Sequence, residues 1–463
     1  MAMKATELDM THGSLWDKIV KFALPLALTV FLQQLYNAAD VAVVGRFVGT
    51  EAMAAVGTNV SIIGLLVNLF MGISLGANVM VARFIGARDM EKASSAVHTA
   101  FLLALAVGMG LMVLGEFLTK PVLSALAVPG SVMPLAEMYL RVFLLGMPFM
   151  GLYNFQAAIF RSRGDTKTPL QVLAVTSAAN ALLDLLFAGP LGWGIAGVAG
   201  ATVLAQFMAA GMLLHVLRHT EGVIRLDLRQ LHWQGQRIKE IVKIGLPAGV
   251  QAMVFSLSNI VIQAAINSLG AETMAASSAA FTIEINVYCI VYSFSQAATT
   301  FVSQNYGAGK LFRCRRATWL CFGLGLSFMT TVSLLVLFFG ETLLALFDSH
   351  PEVIALGMVR IWYVVVPAGI NGVVDIFSGA LRGYGFSLQP AVLALVGICG
   401  VRLTWVYTAF AQNPDFATLM FCYPLSWTVT AVFIAIAYWF YTKHVKVLRL
   451  RSEINTPRKG VFP

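Results

Sequence analysis

Apolar runs recur along this sequence from its first tens of residues to its last. A run of about 18 residues or more is long enough for an α-helix to cross a hydrocarbon layer ~30 Å thick. Spans are expected at roughly 15–43, 53–80, 93–116, 133–158, 168–188, 193–216, 239–266, 274–304, 313–339, 354–380, 389–411 and 416–442. The runs are continuous rather than alternating, which favours helices over a membrane barrel. Charged residues make up only 11% of the chain, against ~25% in soluble domains, too few to cover a water-facing surface. The polar segment Met1–Thr11 precedes the first run, and no small-residue cleavage site follows that run. It therefore reads as a permanent span rather than a signal peptide. The expected fold is an all-α polytopic membrane protein of twelve helices.

The net charge of +9 would suggest nucleic acid in a soluble protein. Here the lysines and arginines cluster between apolar runs, which is what orientation in a bilayer demands. They lie in the N-terminal segment (Lys4, Lys18, Lys21) and the C-terminal tail (Lys443, Lys446, Arg449, Arg451, Arg458, Lys459). The even connections hold the others: Arg83, Arg88 and Lys92; Arg161, Arg163 and Lys167; Arg218, Arg225, Arg229, Arg237, Lys239 and Lys243; Lys310, Arg313, Arg315 and Arg316; and Arg382. Of 31 basic residues only Arg46, Lys120, Arg141, Arg360 and Arg402 fall elsewhere. The odd connections carry acids: Glu51, Glu116, Glu272, Glu341, Asp348, Glu352 and Asp415. Both termini and the even connections are thus expected in the cytoplasm, with the protein multi-pass in a bacterial inner membrane. Five cysteines (Cys289, Cys314, Cys321, Cys399, Cys422) show no CxxC or Cys/His spacing. They read as small buried hydrophobes, not as a disulfide framework or zinc site.

The two halves of the chain repeat. Ile-Val-Lys-Phe-Ala-Leu-Pro at 19–25 answers Ile-Val-Lys-Ile-Gly-Leu-Pro at 241–247. Gly49, Glu51 and Met53 answer Gly270, Glu272 and Met274; Gly86-Ala87 answers Gly307-Ala308. Pro148 answers Pro367, Arg163-Gly164 answers Arg382-Gly383, and Pro169 answers Pro390. Six spans per copy is an even number, so both copies enter from the same side. They are parallel repeats about an axis along the membrane normal, with a cavity between them. The expected domains are a bundle over 1–217, a basic cytoplasmic linker over 218–238, a second bundle over 239–445 and a cytoplasmic tail over 446–463.

Motif scanning excludes more than it finds. Gly72-Ile-Ser74-Leu-Gly76 matches the hydrolase elbow, but that motif needs a strand-to-helix turn. Inside an apolar run it reads as small-residue helix packing. Asn59-Val60-Ser61 has the form of a glycosylation acceptor but falls near the start of a span. No phosphate-binding loop is present, so ATP hydrolysis by this chain is not expected. No nucleophile–base pair or metal cluster points to a membrane-embedded enzyme.

Ionisable residues inside spans carry the signal, because an Asp there costs ~2.5–3.5 kcal/mol on insertion scales. They are Asp40, Asp184, Glu284, Asp375 and Arg402. Asp40 lies near the outer end of the first span and Asp184 near that of the fifth. Asn180, four residues before Asp184, shares its helix face. Thr202 falls in the outer half of the sixth span, so all four reach a similar depth. Two carboxylates, an amide and a hydroxyl are hard oxygen ligands suited to Na⁺. Without a cation two close carboxylates cannot both stay charged, so one would hold a proton. Either makes an ion switch. The plainer alternative leaves Asp40 at the membrane interface and Asp184 capping a loop. The second half has Val261 or Ile262 opposite Asp40, and no acid near Trp405 opposite Asp184. There Glu284, Asp375 and Arg402 are candidates for a charge network, either a structural pair or a substrate site. Pro25 and Pro247 occupy matching places, as hinges or merely as first-turn prolines. The 20 Met and 31 Phe residues are ordinary packing or lipid-facing groups more readily than the lining of a plastic cavity.

These features together resemble the multidrug and toxin extrusion (MATE) family, over about residues 14–445. The resemblance is carried by Pro25 and Asp40, Gly86-Ala87-Arg88, Arg163-Gly164-Asp165-Thr166, Asn180 and Asp184, and Gln304-Asn305-Tyr306-Gly307-Ala308-Gly309. It implies export of organic cations and other amphipaths against Na⁺ or H⁺, by alternating access between two six-helix bundles. It implies a cation site in the N-terminal bundle at Asp40, Asn180, Asp184 and Thr202. Some members place further acids on the seventh helix; this chain has Gln251, Ser256 and Gln263 there. The expected partners are small organic substrates and the bilayer, with no nucleic acid and no cofactor beyond the coupling ion, and the protein is expected to act as a monomer. The alternative is a flippase of lipid-linked precursors. That would need a basic cavity for pyrophosphate, and within the spans the sequence offers essentially Arg402. A channel or receptor fits the repeat with buried acids less well than a rocking carrier.

Overall fold

The computed structural model describes the backbone of residues 8–126 and 128–455. Residues 1–7, Ala127 and 456–463 lie outside the described residues, and with them Lys4, Arg458, Lys459 and the last part of the tail expected over 446–463.

Twelve apolar spans run in order through the chain. They are α1 (Trp16–Phe47), α2 (Thr50–Gly86), α3 (Met90–Ala125), α4 (Met133–Leu144 continued by Met147–Ser162), α5 (Lys167–Ala188) and α6 (Gly194–His219). The second six are α7 (Gly235–Asn267), α8 (Ala271–Gly307), α9 (Leu311–Ala345), α10 (Pro351–Tyr384), α11 (Leu388–Phe410) and α12 (Phe416–Val445). The two pieces of α4 meet at 48°. Pro148, at the second position of its second piece, has no N–H to give the preceding turn, so the break falls there. In α10 the matching Pro367 is preceded by a five-residue π-turn, Ile361–Val365. One proline thus yields a bend in the first half and a bulge in the second. The linker is shorter than 218–238: α6 continues to His219 and α7 begins at Gly235, with a 3₁₀ turn at Leu228–Gln230 between them. Basic residues do not end a helix once it has left the bilayer.

α2 and α8 each have 37 residues, about 55 Å at 1.5 Å per residue. They overshoot the hydrocarbon at the end that carries the Lys/Arg-rich connections, called here the basic end. The halves meet on that side. Gly72 packs on Gly249, and Gly76 on Ile241, with no room for a Cβ. Gly86 presses on the Gln304 carbonyl, and its repeat partner Gly307 presses on the Arg83 carbonyl. Arg83 and Gln304 are themselves equivalent positions, so this one contact is made twice about the pseudo-two-fold axis. Hydrogen bonds between halves begin mid-helix, with Asn68 Nδ2 donating to Ser256 Oγ at 3.1 Å. They continue through Asn78 Nδ2 to Thr300 Oγ1 at 2.9 Å and Gln304 Nε2 to the Ser162 carbonyl at 2.7 Å.

The segment before α1 seals this end. Leu8 N–H donates to the Arg163 carbonyl of the first half, and Met10 is fully buried. From the second half, Asn305 Nδ2 and Arg313 Nε donate to the Met10 carbonyl, each at 3.2 Å, and Lys310 Nζ donates to the Thr11 carbonyl at 2.9 Å. The strap holds its shape through Asp9, whose carboxylate accepts from Thr11 N–H at 2.8 Å and His12 N–H at 3.2 Å. Burial alone would raise the Asp9 pKa, but the hydrogen bonds from Thr11 and His12 prevail and lower it to about 2.

Candidate functional site

α1, α5 and α6 pack side by side and bring four polar residues into contact inside the first half. Asp40, Asn180, Asp184 and Thr202 are all buried, none more than 5% exposed. Each aspartate lies within its helix, seven residues before the end of α1 and four before that of α5, so neither caps a loop. The carboxyl groups of Asp40 and Asp184 lie within hydrogen-bonding reach of each other. With its amide oriented to face them, Asn180 donates to Asp40 Oδ1 at 2.9 Å and Asp184 Oδ2 at 3.1 Å. Its oxygen accepts from Thr202 N–H at 3.3 Å. Thr202 Oγ1 reaches Asp40 Oδ2 at 3.5 Å while donating to the Val198 carbonyl at 3.1 Å. Asp184 Oδ1 has no partner. Tyr36 and Tyr139 stand beside the pair. Tyr36 precedes Asp40 by one helical turn, a spacing that places it at the site; nothing in the sequence marks Tyr139.

No basic side chain among the described residues pairs with either aspartate. Two carboxyl groups in contact cannot both carry unbalanced charge in a low dielectric. Its donor set of carboxylate, amide and hydroxyl oxygens suits a hard monovalent ion. Among the described residues no group of three His, Cys, Asp or Glu residues is placed to chelate a heavier metal.

The second half handles its charges otherwise. Glu284, Asp375 and Arg402 do not form one network. Glu284 pairs with Arg360, whose Nη2 lies 2.9 Å from Glu284 Oε2 and whose Nη1 donates to Ser277 Oγ at 2.6 Å. Arg402 lies 4.2 Å from the Tyr423 ring centroid and donates to Ser426 Oγ and Asn259 Oδ1. Tyr423 also faces Arg360 at 5.8 Å, linking these two arginines through one ring. Asp375 belongs to neither group: it faces the Arg382 guanidinium and accepts from Asn371 Nδ2 at 3.2 Å and from Tyr288. Arg360 was hidden in the sequence because it sits close to an odd connection, where one basic residue reads as an exception to the charge rule. Pro25 and Pro247 lie well inside α1 and α7, not in first turns. Gly72 and Gly76 serve the α2–α7 contact, as small-residue packing requires. Asn59 is buried, its Nδ2 donating to the Ala136 carbonyl at 3.0 Å, so it is no glycan acceptor. All five cysteines are free and buried.

Against the first half, where it faces α8, is a small pocket lined by Thr29 and Gln33 of α1, Asn154 and Arg161 of α4, and Tyr292 of α8.

Two six-helix repeats sealed against each other at one end, with a buried acid cluster in one repeat, define a membrane carrier. The MatE family model matches twice, at residues 25–186 and 247–408, once in each half. The chain belongs to this family, the multidrug and toxin extrusion transporters, and is not an enzyme. It is 26% identical over 453 residues to the "Probable multidrug resistance protein YoeA" of Bacillus subtilis, covering 94% of this chain and 96% of the relative. It is 26% identical over 400 residues to the "FAD transporter" of Shewanella oneidensis, covering 84% of each. Its fold matches a solved structure described as "Outward-facing conformation of a multidrug resistance MATE family transporter of the MOP superfamily", with a TM-score of 0.88 at 21% identity, over 96% of this chain and all of that one.

Proposed function

We propose that this chain is a cation-coupled antiporter exporting small amphipathic organic compounds by alternating access, with Na⁺ or H⁺ bound at Asp40, Asn180, Asp184 and Thr202. The observation that carries this reading is a pair of buried, adjacent carboxyl groups with no basic partner among the described residues. A fixed arginine would make such a pair permanent; a mobile cation makes it a switch. The coupling ion acts through its differential affinity for the two states of the carrier. The halves, taken as 1–217 and 239–445, rock about the α2–α7 and α2–α8 contacts, with Pro25 and Pro247 as points of bending in the helices that line the cavity. In this reading the basic end faces the cytoplasm of a bacterial cell, both termini lie there, and the state described is closed inward and open outward. The protein works as a monomer in the inner membrane, without a cofactor. Relatives named for multidrug resistance and for FAD transport support a broad range of small organic substrates.

Reconstitution in proteoliposomes tests the proposal. Dye uptake is expected to follow an imposed Na⁺ gradient or pH gradient, applied separately, and to collapse with the matching ionophore. Uptake that ignores both gradients refutes coupling.

A further inference from the structure

At the basic end each half sends one side chain across to the other, from equivalent positions. Arg83 stands three residues before Gly86 near the end of α2, and Gln304 three residues before Gly307 near the end of α8. Gly86 lies against the Gln304 carbonyl and Gly307 against the Arg83 carbonyl, each too close for a Cβ. Backbones in such contact leave no space between them, so both side chains reach past the opposing helix. Gln304 Nε2 donates to the carbonyl of Ser162, the last residue of α4, at 2.7 Å. Arg83 Nη2 donates to the carbonyl of Gly383, the last residue but one of α10, at 3.4 Å. The Arg83 guanidinium also lies 5.0 Å from the centre of the Tyr306 ring of the second half. Both acceptors belong to the Arg-Gly turns, Arg163-Gly164 and Arg382-Gly383, that the halves share.

We infer that Arg83 and Gln304 are the two latches of the basic end: each is a positioning residue that holds this end shut by capping the fourth helix of the opposite half. This rests on the alternating-access reading and names the side chains that set its closed state. The last four carbonyls of a helix have no N–H of their own helix to bind, and they carry the negative end of its dipole. A donor from the other half meets that need only while the halves are together. When they part, water takes over both carbonyls and both donors, so each hydrogen bond is exchanged rather than lost, and its net worth is small. Such bonds hold a closed state without making it permanent. Each latch also has a neighbour that crosses between halves. Beside Gln304, Asn305 donates to the Met10 carbonyl of the strap, whose Leu8 N–H donates to the Arg163 carbonyl next to Ser162. Beside Arg83, the Phe84 ring carries Arg237 of α7 at 4.8 Å.

The test uses the purified full-length chain in lipid nanodiscs at pH 8, with spin labels on cysteines placed at Glu91 and Arg316. Both are exposed positions at the basic end, one in each half, and the five native cysteines are buried. The distance between labels is read by double electron–electron resonance. Gln304→Glu keeps the size of the side chain and turns a donor into an acceptor facing a carbonyl. Arg83→Met keeps the stem and removes the donors. Each is expected to raise the population at longer distances about fivefold, the scale of one hydrogen bond, and the double variant more than either. Arg83→Lys, which can still donate, is expected to stay near wild type. Unfolding midpoints that match wild type show that the variants are folded. Distances in Gln304→Glu and Arg83→Met that match wild type overturn the latches. A shift in Arg83→Lys as large as that in Arg83→Met also overturns the Arg83 latch, because it assigns that side chain to packing. Dye uptake by wild type under an ion gradient is measured separately. Its absence defeats the exporter reading, while the distances still decide on the latches.

Discussion

The two halves share a fold and six matching landmarks, yet they treat buried charge in opposite ways. The first half sets two acids against each other and gives them an amide and a hydroxyl but no arginine. The second half pairs Glu284 with Arg360 and seats Arg402 on Tyr423. In the second half the partner of Glu284 is covalently fixed; in the first half, under the proposed coupling, the partner comes from solution. The backbone follows the same division. π-Turns interrupt α10 at Ile361–Val365 and α11 at Leu395–Gly400 and Val406–Phe410, all in the second half. Duplication supplied one architecture, and the copies then took different tasks.

The largest effect expected from breaking this contrast is on coupling. Asp40→Asn and Asp184→Asn should each reduce gradient-driven dye efflux from vesicles to the level of empty vesicles, while membrane insertion, read by immunoblot of the membrane fraction, stays normal. Removing the fixed partner in the other half should instead damage stability. Arg360→Ala leaves the part-buried Glu284 uncompensated, a loss of about 3 kcal/mol in denaturant unfolding of the purified protein, the low end for breaking a buried pair. The double change Glu284→Gln/Arg360→Met should recover most of it.

The seam between halves offers a third perturbation. Gly86→Val or Gly307→Val puts a side chain where the opposing carbonyl lies. Either is expected to hold the basic end apart, exposing Cys substitutions at Asn78 or Thr300 to water-soluble maleimides and slowing efflux about tenfold, equivalent to ~1.4 kcal/mol of shifted population. Thr202→Ala removes only a long hydrogen bond to Asp40 and should weaken cation binding about fivefold, the effect of ~1 kcal/mol. The smallest effect concerns the strap. The Asp9 carboxyl titrates at about 2, below the ordinary 3.8. A depressed pKa stabilises the turn above the ordinary value, and the contribution is lost as pH falls through about 2. Pepsin cleavage within residues 8–15 should therefore rise between pH 4 and 2 in wild type. In Asp9→Ala cleavage should already be high at pH 4.

The sequence revealed the architecture because bilayers impose a simple rule on it. Run length gave the spans, the Lys/Arg bias gave their alternation, and the landmarks from Pro25 and Pro247 to Gly86 and Gly307 gave the repeat. The acid cluster was legible for a related reason: Asp40 and Asp184 stand out in apolar surroundings, and Asn180 sits one turn from its partner. The same rule hid the arginines. Arg161 and Arg360 fall near helix ends, where basic residues are expected, so position along the chain did not separate a side chain turned into a pocket or the core from one turned toward water. The pairing of Glu284 with Arg360 rather than Arg402 depends on how α8, α10 and α11 rotate about their axes, which hydrophobicity that is nearly uniform around each helix does not encode.

If the Asp40/Asp184 cluster holds the transported cation, calorimetric titration of the purified chain with Na⁺, run beside a count of protons released in weak buffer, will show it. Wild type is expected to give a binding heat or a proton release that disappears in both Asp40→Asn and Asp184→Asn and persists in Glu284→Gln/Arg360→Met. A signal of full size in the two aspartate variants would contradict it.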